Sequence, residues 1–113
     1  MRVRNVKHLN GLAISQAMER LRQETGHLSN TNSVRRNANY QELLSGGEQV
    51  VRMLFKDMLE NYQNNRQSPM AWNNFALIYE IMNDGPDMPP SSRGRLNLIT
   101  MHYLAWGKSL GLL

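Results

Sequence analysis

Apolar residues recur every three or four positions between residues 47 and 64, and this spacing limits the fold more than any other feature of the sequence. One helical face of that range carries Val51, Leu54, Phe55, Met58, Leu59 and Tyr62. Glu48 with Arg52, and Lys56 with Glu60, would add charge pairs one turn apart on the opposite side. The pattern predicts an amphipathic helix packed against a core.

Similar patterns predict further helices over about residues 10–26, 34–44, 69–82 and 93–106. Asn10 is the expected N-cap of the first helix and Ser92 that of the last, which Gly107 or Gly111 is expected to end. No stretch alternates apolar and polar residues well enough to predict a sheet. The sequence therefore predicts an all-α protein, a small single-domain bundle of four to five helices.

Aromatic side chains divide the chain unequally, because only Tyr40 among the eight lies before residue 45. Such side chains dominate the energy of a hydrophobic core. We therefore expect a helical core over residues 45–113, with Trp72 and Trp106 in its interior. Residues 1–44 are expected to form a basic, polar N-terminal segment that is only partly ordered on its own.

Positive charge is concentrated at the start of the chain. Residues 1–36 hold seven basic and two acidic side chains, whereas the rest hold six basic and seven acidic ones. The basic residues of this first part are Arg2, Arg4, Lys7, Arg20, Arg22, Arg35 and Arg36. A segment of one sign attracts polyanions, so these seven are the candidate nucleic-acid-binding residues. A solvated, solubilising surface is the alternative explanation.

Catalytic, metal and cofactor sites are not expected. The chain has no cysteine, and His8, His27 and His102 lack the spacing of a metal site. Gly46-Gly47 lacks the lysine and the further glycines of a phosphate loop, and Asp57 and Glu60 are expected to be ordinary surface charges. We therefore expect a protein that is not an enzyme and needs no cofactor.

Membrane insertion and secretion are not expected either, since no apolar run is long enough to span a bilayer and the N-terminus is charged. Cytoplasmic localisation is the expectation. Two tryptophans and two very apolar predicted helices in a short chain also favour a homodimer.

Residues 14–36, ISQAMERLRQETGHLSNTNSVRR, faintly resemble the two-helix part of ribbon-helix-helix DNA-binding proteins. The resemblance covers about a fifth of the chain and slightly favours DNA binding. The residues before it do not alternate as that family's strand does, so the chain is not assigned to the family.

Two functions follow as hypotheses. The first is a small nucleic-acid-associated protein of bacterial or phage type, regulatory or accessory to packaging, that contacts phosphates through its basic N-terminal segment. The alternative is a non-enzymatic protein-binding adaptor or inhibitor that docks a partner on an apolar groove between helices. A contiguous basic face would favour the first, and exposed apolar surface away from the arginines would favour the second.

Overall fold

The computed structural model describes residues 9–25, 31–66 and 71–113, and within these ranges the chain forms six α-helices and no strand. The helices are α1 (Gly11–Thr25), α2 (Thr31–Arg35), α3 (Ala38–Ser45), α4 (Glu48–Gln63), α5 (Ala71–Met82) and α6 (Leu96–Ser109). A short 3-10 turn, Pro90–Ser92, precedes α6. The all-α fold predicted from the sequence is confirmed.

Helix α4 is the central element of the bundle. It packs against α5 and α6 and, less extensively, against α1. Helix α1 packs mainly on α3, which also contacts α5, while the short α2 lies against α3. Val50, Val51, Leu54 and Phe55 of α4 are completely buried, as an amphipathic helix at the centre of a small core requires.

Asparagine side chains set the beginnings of two helices. Asn10 Oδ1 accepts a hydrogen bond from the Ala13 N–H (2.7 Å), which confirms the predicted N-cap of α1. Asn37 Oδ1 accepts one from the Asn39 N–H (2.8 Å), and the Asn37 backbone is extended. The single helix predicted over 34–44 is therefore wrong, because Asn37 ends one helical segment and caps the next.

The last helix begins later and continues further than its pattern predicts. Ser92, expected to be its N-cap, instead lies in the 3-10 turn, where its Oγ donates to the Pro89 carbonyl (2.7 Å). Helix α6 ends where Gly111 takes a φ of +75° and the Leu112 N–H donates to the Gly107 carbonyl (2.9 Å). Gly107 lies inside the helix, so Gly111 is the residue that ends it.

The hydrophobic core extends further toward the N-terminus than the sequence predicts. Ile14, Ala17 and Leu21 of α1 are completely buried in the same cluster as the residues of α4. Tyr40 and Leu43 of α3 belong to that cluster too. The prediction that the core starts at residue 45 is corrected here, because Ile14, Ala17 and Leu21 bury one face of α1 in the core although this helix has no aromatic residue. Residues 1–8 and 26–30 of the predicted N-terminal segment lie outside the described residues.

The tryptophans are less buried than predicted. Trp72 is 56% exposed, and Tyr79 on the same side of α5 is 55% exposed. Phe75 is the residue of α5 that enters the core, and its ring stacks on that of Tyr103 at a centroid distance of 4.7 Å. Trp106 is partly buried and contacts the rings of Phe55 and Tyr103. The structure therefore corrects the expectation that Trp72 lies in the interior.

Candidate functional site

Of the seven predicted nucleic-acid-binding residues, Arg2, Arg4 and Lys7 lie outside the described residues. Arg22 forms an ion pair with Glu19 one turn away, and this contact lowers the pKa of Glu19. Arg35 Nε lies 2.6 Å from Glu80 Oε1, which joins α2 to α5.

The Arg20 side chain also has a hydrogen-bond acceptor within the fold. Its Nε donates to Asn39 Oδ1 (3.0 Å), and Asn39 in turn donates through Nδ2 to Glu24 Oε2 (3.1 Å). Asn37 Nδ2 donates to the other oxygen of Glu24 (3.1 Å). Arg20 and Glu24 therefore connect α1 to the start of α3. Arg36 is exposed and has no ion pair or hydrogen bond through its side chain among the described residues.

These contacts change the interpretation of the basic segment. The described ranges hold ten basic and nine acidic side chains, so Arg2, Arg4 and Lys7 supply three of the four units of net positive charge. Arg22 and Arg35 already have carboxylate partners, and a phosphate would have to compete with those partners. Within the described part of the chain, only Arg36 of the seven is uncommitted.

A cleft of about 440 Å³ opens between α1 and α4 in the described structure, and α3 and α5 also contribute to its lining. It is lined by Ser15, Met18, Glu19, Leu21, Arg22, Leu43, Met53, Lys56, Asp57, Glu60, Asn61, Asn74 and Leu77. The cleft exists because α1 packs mainly on α3 and touches α4 over a short length. We call it the α1–α4 cleft.

Apolar side chains line much of the α1–α4 cleft. Leu21, Leu43 and Leu77 are completely buried and belong to the core. Met18 of α1 and Met53 of α4 are only partly buried, and both pack against that core. Methionine is flexible and polarisable, so a groove lined by it can adapt to apolar groups of different shape.

A carboxylate wall, formed by Asp57 and Glu60 of α4, lines the cleft beside these apolar groups. Burial and the neighbouring charge of Glu60 raise the pKa of Asp57 above its ordinary value. The predicted Lys56–Glu60 ion pair is absent from the described structure, whereas Glu48 Oε2 lies 3.6 Å from Arg52 Nε as predicted. Asp57 is therefore a half-buried carboxylate, which corrects its assignment as an ordinary surface charge.

Asn74 supplies an unusual polar group at the same cleft. Its side chain is only 3% exposed, and its Nδ2 has no hydrogen-bond partner among the described residues. Asn74 and Asn61 also line a second cleft, of about 360 Å³, on the α6 side of α4. A buried amide N–H without a partner costs free energy, so most proteins supply it with an acceptor.

A second buried polar group has a structural explanation. The Tyr40 hydroxyl makes no well-formed hydrogen bond among the described residues, although the Glu80 carboxylate lies near it. Burial, together with that carboxylate, raises the pKa of Tyr40 far above its ordinary value. Tyr40 lies in the core between α3 and α5, away from the residues that line either cleft. We assign it no binding role.

Metal binding and membrane insertion find no support in the described structure. Within residues 9–25, 31–66 and 71–113, no three His, Asp or Glu side chains lie close enough together to hold a metal ion. His102 on α6 is half-buried, and His8 and His27 lie outside those ranges. None of the helices described has both the length and the apolar character needed to cross a bilayer.

The residues of the cleft were not singled out by the sequence, with one partial exception. Asn74 precedes Leu77 and Ile78 by three and four positions, so it shares their apolar helical face, and an amide in such a position suggests a buried polar group. That Met18 and Met53 line the same cleft has no signature in the sequence, because it depends on how α1 and α4 pack. No family model, curated protein or solved structure matches the chain.

Proposed function

We propose that the protein is a non-enzymatic binding module, an adaptor or inhibitor, that holds an apolar part of a partner protein in the α1–α4 cleft. The observation that carries the proposal is the open groove that is lined by buried leucines and by the partly buried Met18 of α1 and Met53 of α4. Its volume of about 440 Å³ lies within the usual range for ligand sites. An amphipathic helix can insert one or two anchoring side chains into such a groove.

Arginine pairing is the reason for placing this function ahead of nucleic-acid binding. Arg20, Arg22 and Arg35 each have an acceptor within the fold, and the described ranges are close to neutral. Sequence-independent affinity for nucleic acid requires several cations free to contact phosphates. Binding of an apolar group in the α1–α4 cleft does not require any of these arginines to leave its acceptor.

Methyl NMR of the full chain with labelled methionines tests the proposal. The probes are amphipathic peptides of about 14 residues, roughly four helical turns, with leucines on one face. We expect the Met18 and Met53 methyl resonances to shift on titration, while those of Met88 and Met101, which are exposed elsewhere, stay in place.

A matched pair of variants makes this test specific. Met53→Gln makes the groove polar and should abolish the shifts, whereas Met101→Gln changes an exposed methionine outside the cleft and should not. Shifts of equal size at all exposed methionines would indicate nonspecific association and contradict the proposal.

Nucleic-acid binding remains a second candidate because Arg2, Arg4 and Lys7 precede the first acidic residue of the chain, Glu19. We propose that any phosphate contacts are made by these three residues together with Arg36. Replacing the four with glutamine should weaken binding to a labelled duplex and lower the magnitude of the log-affinity versus log-salt slope by about one unit per lost contact. Wild-type protein that shows no salt-dependent anisotropy change with duplex or single strand would refute this candidate.

Self-association stays a prediction. Trp72 and Tyr79 leave apolar area exposed on one side of α5, and a second copy of the chain is the partner that the sequence favours there. Sedimentation velocity should detect a dimer that Trp72→Ser weakens. A monomer at all concentrations would contradict it.

A further inference from the structure

Two polar groups that line the α1–α4 cleft are incompletely stabilised by the described residues. The Asp57 carboxylate is half-buried, and desolvation and Glu60 raise its pKa despite the opposing effects of Arg66, which lies outside the cleft lining, and of Asn61. The Asn74 Nδ2 is buried without an acceptor. A positive charge nearby would stabilise the ionised Asp57 carboxylate, and a carbonyl oxygen would accept a hydrogen bond from Asn74 Nδ2.

The charges around the cleft leave a negative excess. From α1, Glu19 and Arg22 face it, and these two are paired with each other. From α4 come Lys56, Asp57 and Glu60, and neither carboxylate forms an ion pair within the described structure. The remaining elements contribute uncharged residues: Leu43 from α3, and Asn74 and Leu77 from α5. The cleft therefore carries one more negative than positive charge.

From these observations we infer that the partner segment held in the α1–α4 cleft is basic, with a lysine or arginine beside its apolar anchor. The cationic head contacts the carboxylate wall of Asp57 and Glu60. A carbonyl oxygen of the segment accepts from Asn74 Nδ2 after lining side chains shift, because that atom is fully covered in the structure. This inference rests on the proposed function, because it specifies the partner of the same cleft.

A peptide fits this combination better than a free cation does. Lysine and arginine cover apolar surface with their methylene stems while the charged head stays at the polar edge, and the partly buried Met18 and Met53 offer such a surface. A polypeptide also supplies carbonyl oxygens next to its cation, whereas a free metal ion or polyamine has no acceptor for Asn74.

The test compares three peptides that share one leucine face and differ only in whether the polar face carries lysine, glutamine or glutamate. We expect the full-length protein to bind the lysine peptide about tenfold more tightly than the glutamine peptide at low salt, and the glutamate peptide least tightly. Binding of the lysine peptide should also lower the pKa of Asp57, measured from its side-chain carboxyl carbon resonance.

Three variants separate the contributions. Asp57→Asn combined with Glu60→Gln should remove the preference for lysine while leaving the glutamine peptide bound. Glu48→Gln, which removes an exposed carboxylate outside the cleft, should preserve the preference. Asn74→Leu, which keeps a side chain of similar size, should lower the affinity for the lysine and the glutamine peptides by the same factor.

The outcomes also distinguish this inference from the function on which it rests. If the lysine and glutamine peptides shift the Met18 and Met53 methyls with equal affinity, the basic partner is refuted and the binding cleft stands. If the lysine preference survives the double variant, the carboxylate wall is not its origin and the inference fails. If no peptide shifts those two methyls, the proposed function fails with it.

Discussion

Gly107 is a position where a single added methyl group should be destabilising. A Cβ atom there would lie 2.7 Å from the Phe55 ring, and Phe55 is completely buried. Overpacking of this kind costs about 1–3 kcal/mol, and the better helix propensity of alanine, worth about 1 kcal/mol, offsets only part of it. Gly107→Ala should therefore lower the thermal midpoint.

The matched control is Gly11→Ala in the first turn of α1. A Cβ atom at Gly11 would have nothing within 4 Å, so this variant should match the wild type or exceed it slightly in stability. Circular dichroism melts of both variants provide the measurement. Equal midpoints for the two would mean that α6 does not pack on Phe55 as closely as described.

Asp57 should make stability depend on pH in an unusual direction for a carboxylate. Its pKa is raised in the folded protein, so the folded state binds the proton more tightly than the unfolded chain, whose value is about 4. Stability from this group is present at low pH and is lost as pH rises through the folded pKa. Asp57→Asn should therefore stabilise the protein at pH about 7, with a smaller gain at pH about 4.

Urea unfolding at the two pH values measures this effect. The gain should be modest, because Asp57 is only half-buried and water screens its charge. Glu48→Gln is the control, since Glu48 is an exposed carboxylate paired with Arg52. A variant at Asp57 that is less stable than wild type at neutral pH would show that the carboxylate has a favourable partner.

Among the helices, α5 shows why apolar character alone does not identify the buried face. Phe75 is 6% exposed and stacks on Tyr103, whereas Trp72 is 56% exposed. Phe75→Ala should cost about 3–5 kcal/mol, and Trp72→Ala about 1–2 kcal/mol, because much of the indole stays in water. Chemical denaturation of both variants measures the two losses of unfolding free energy. A larger loss for Trp72→Ala than for Phe75→Ala would contradict the assignment of Phe75, and not Trp72, to the core.

Helix α2 is attached to α5 by Arg35, and this attachment predicts different behaviour for two adjacent arginines. Arg35→Gln removes the contact with Glu80 and should cost up to about 1 kcal/mol, since the arginine is half-exposed. Arg36→Gln should leave stability unchanged. If both variants melt like wild type, the Arg35–Glu80 pair contributes nothing measurable to the fold.

The helices themselves were largely predictable from local chemistry. Asn10 caps α1 as its side chain predicts, and the apolar stripe of α4 is buried as its spacing predicts. Asn37 and Asn39 argued against a helix over 34–44, but the sequence did not show that Asn37 ends one helix and caps the next. An asparagine weakens a helix interior and caps a helix start with the same side chain. Only the surrounding fold decides between these two uses.

For the molecule as a whole, the sequence indicated that the net charge is positive but not which acidic residues pair with the arginines. Arg35 and Glu80 are far apart in the chain, and nothing local indicates that they meet. The same holds for the α1–α4 cleft, whose residues come from four helices. Lining residues such as Met18 and Asp57 acquire their role from helix crossing, which periodicity does not determine.

The order in which the helices pair bears on how fast the chain folds. The main contacts join α1 with α3, α3 with α5, and α4 with α5 and α6, so each partner is the next helix or the next but one. Loops between such neighbours close quickly, and helical proteins dominated by local contacts fold in about microseconds to milliseconds. We therefore expect the bundle to form on that timescale, before slower encounters with partner molecules begin.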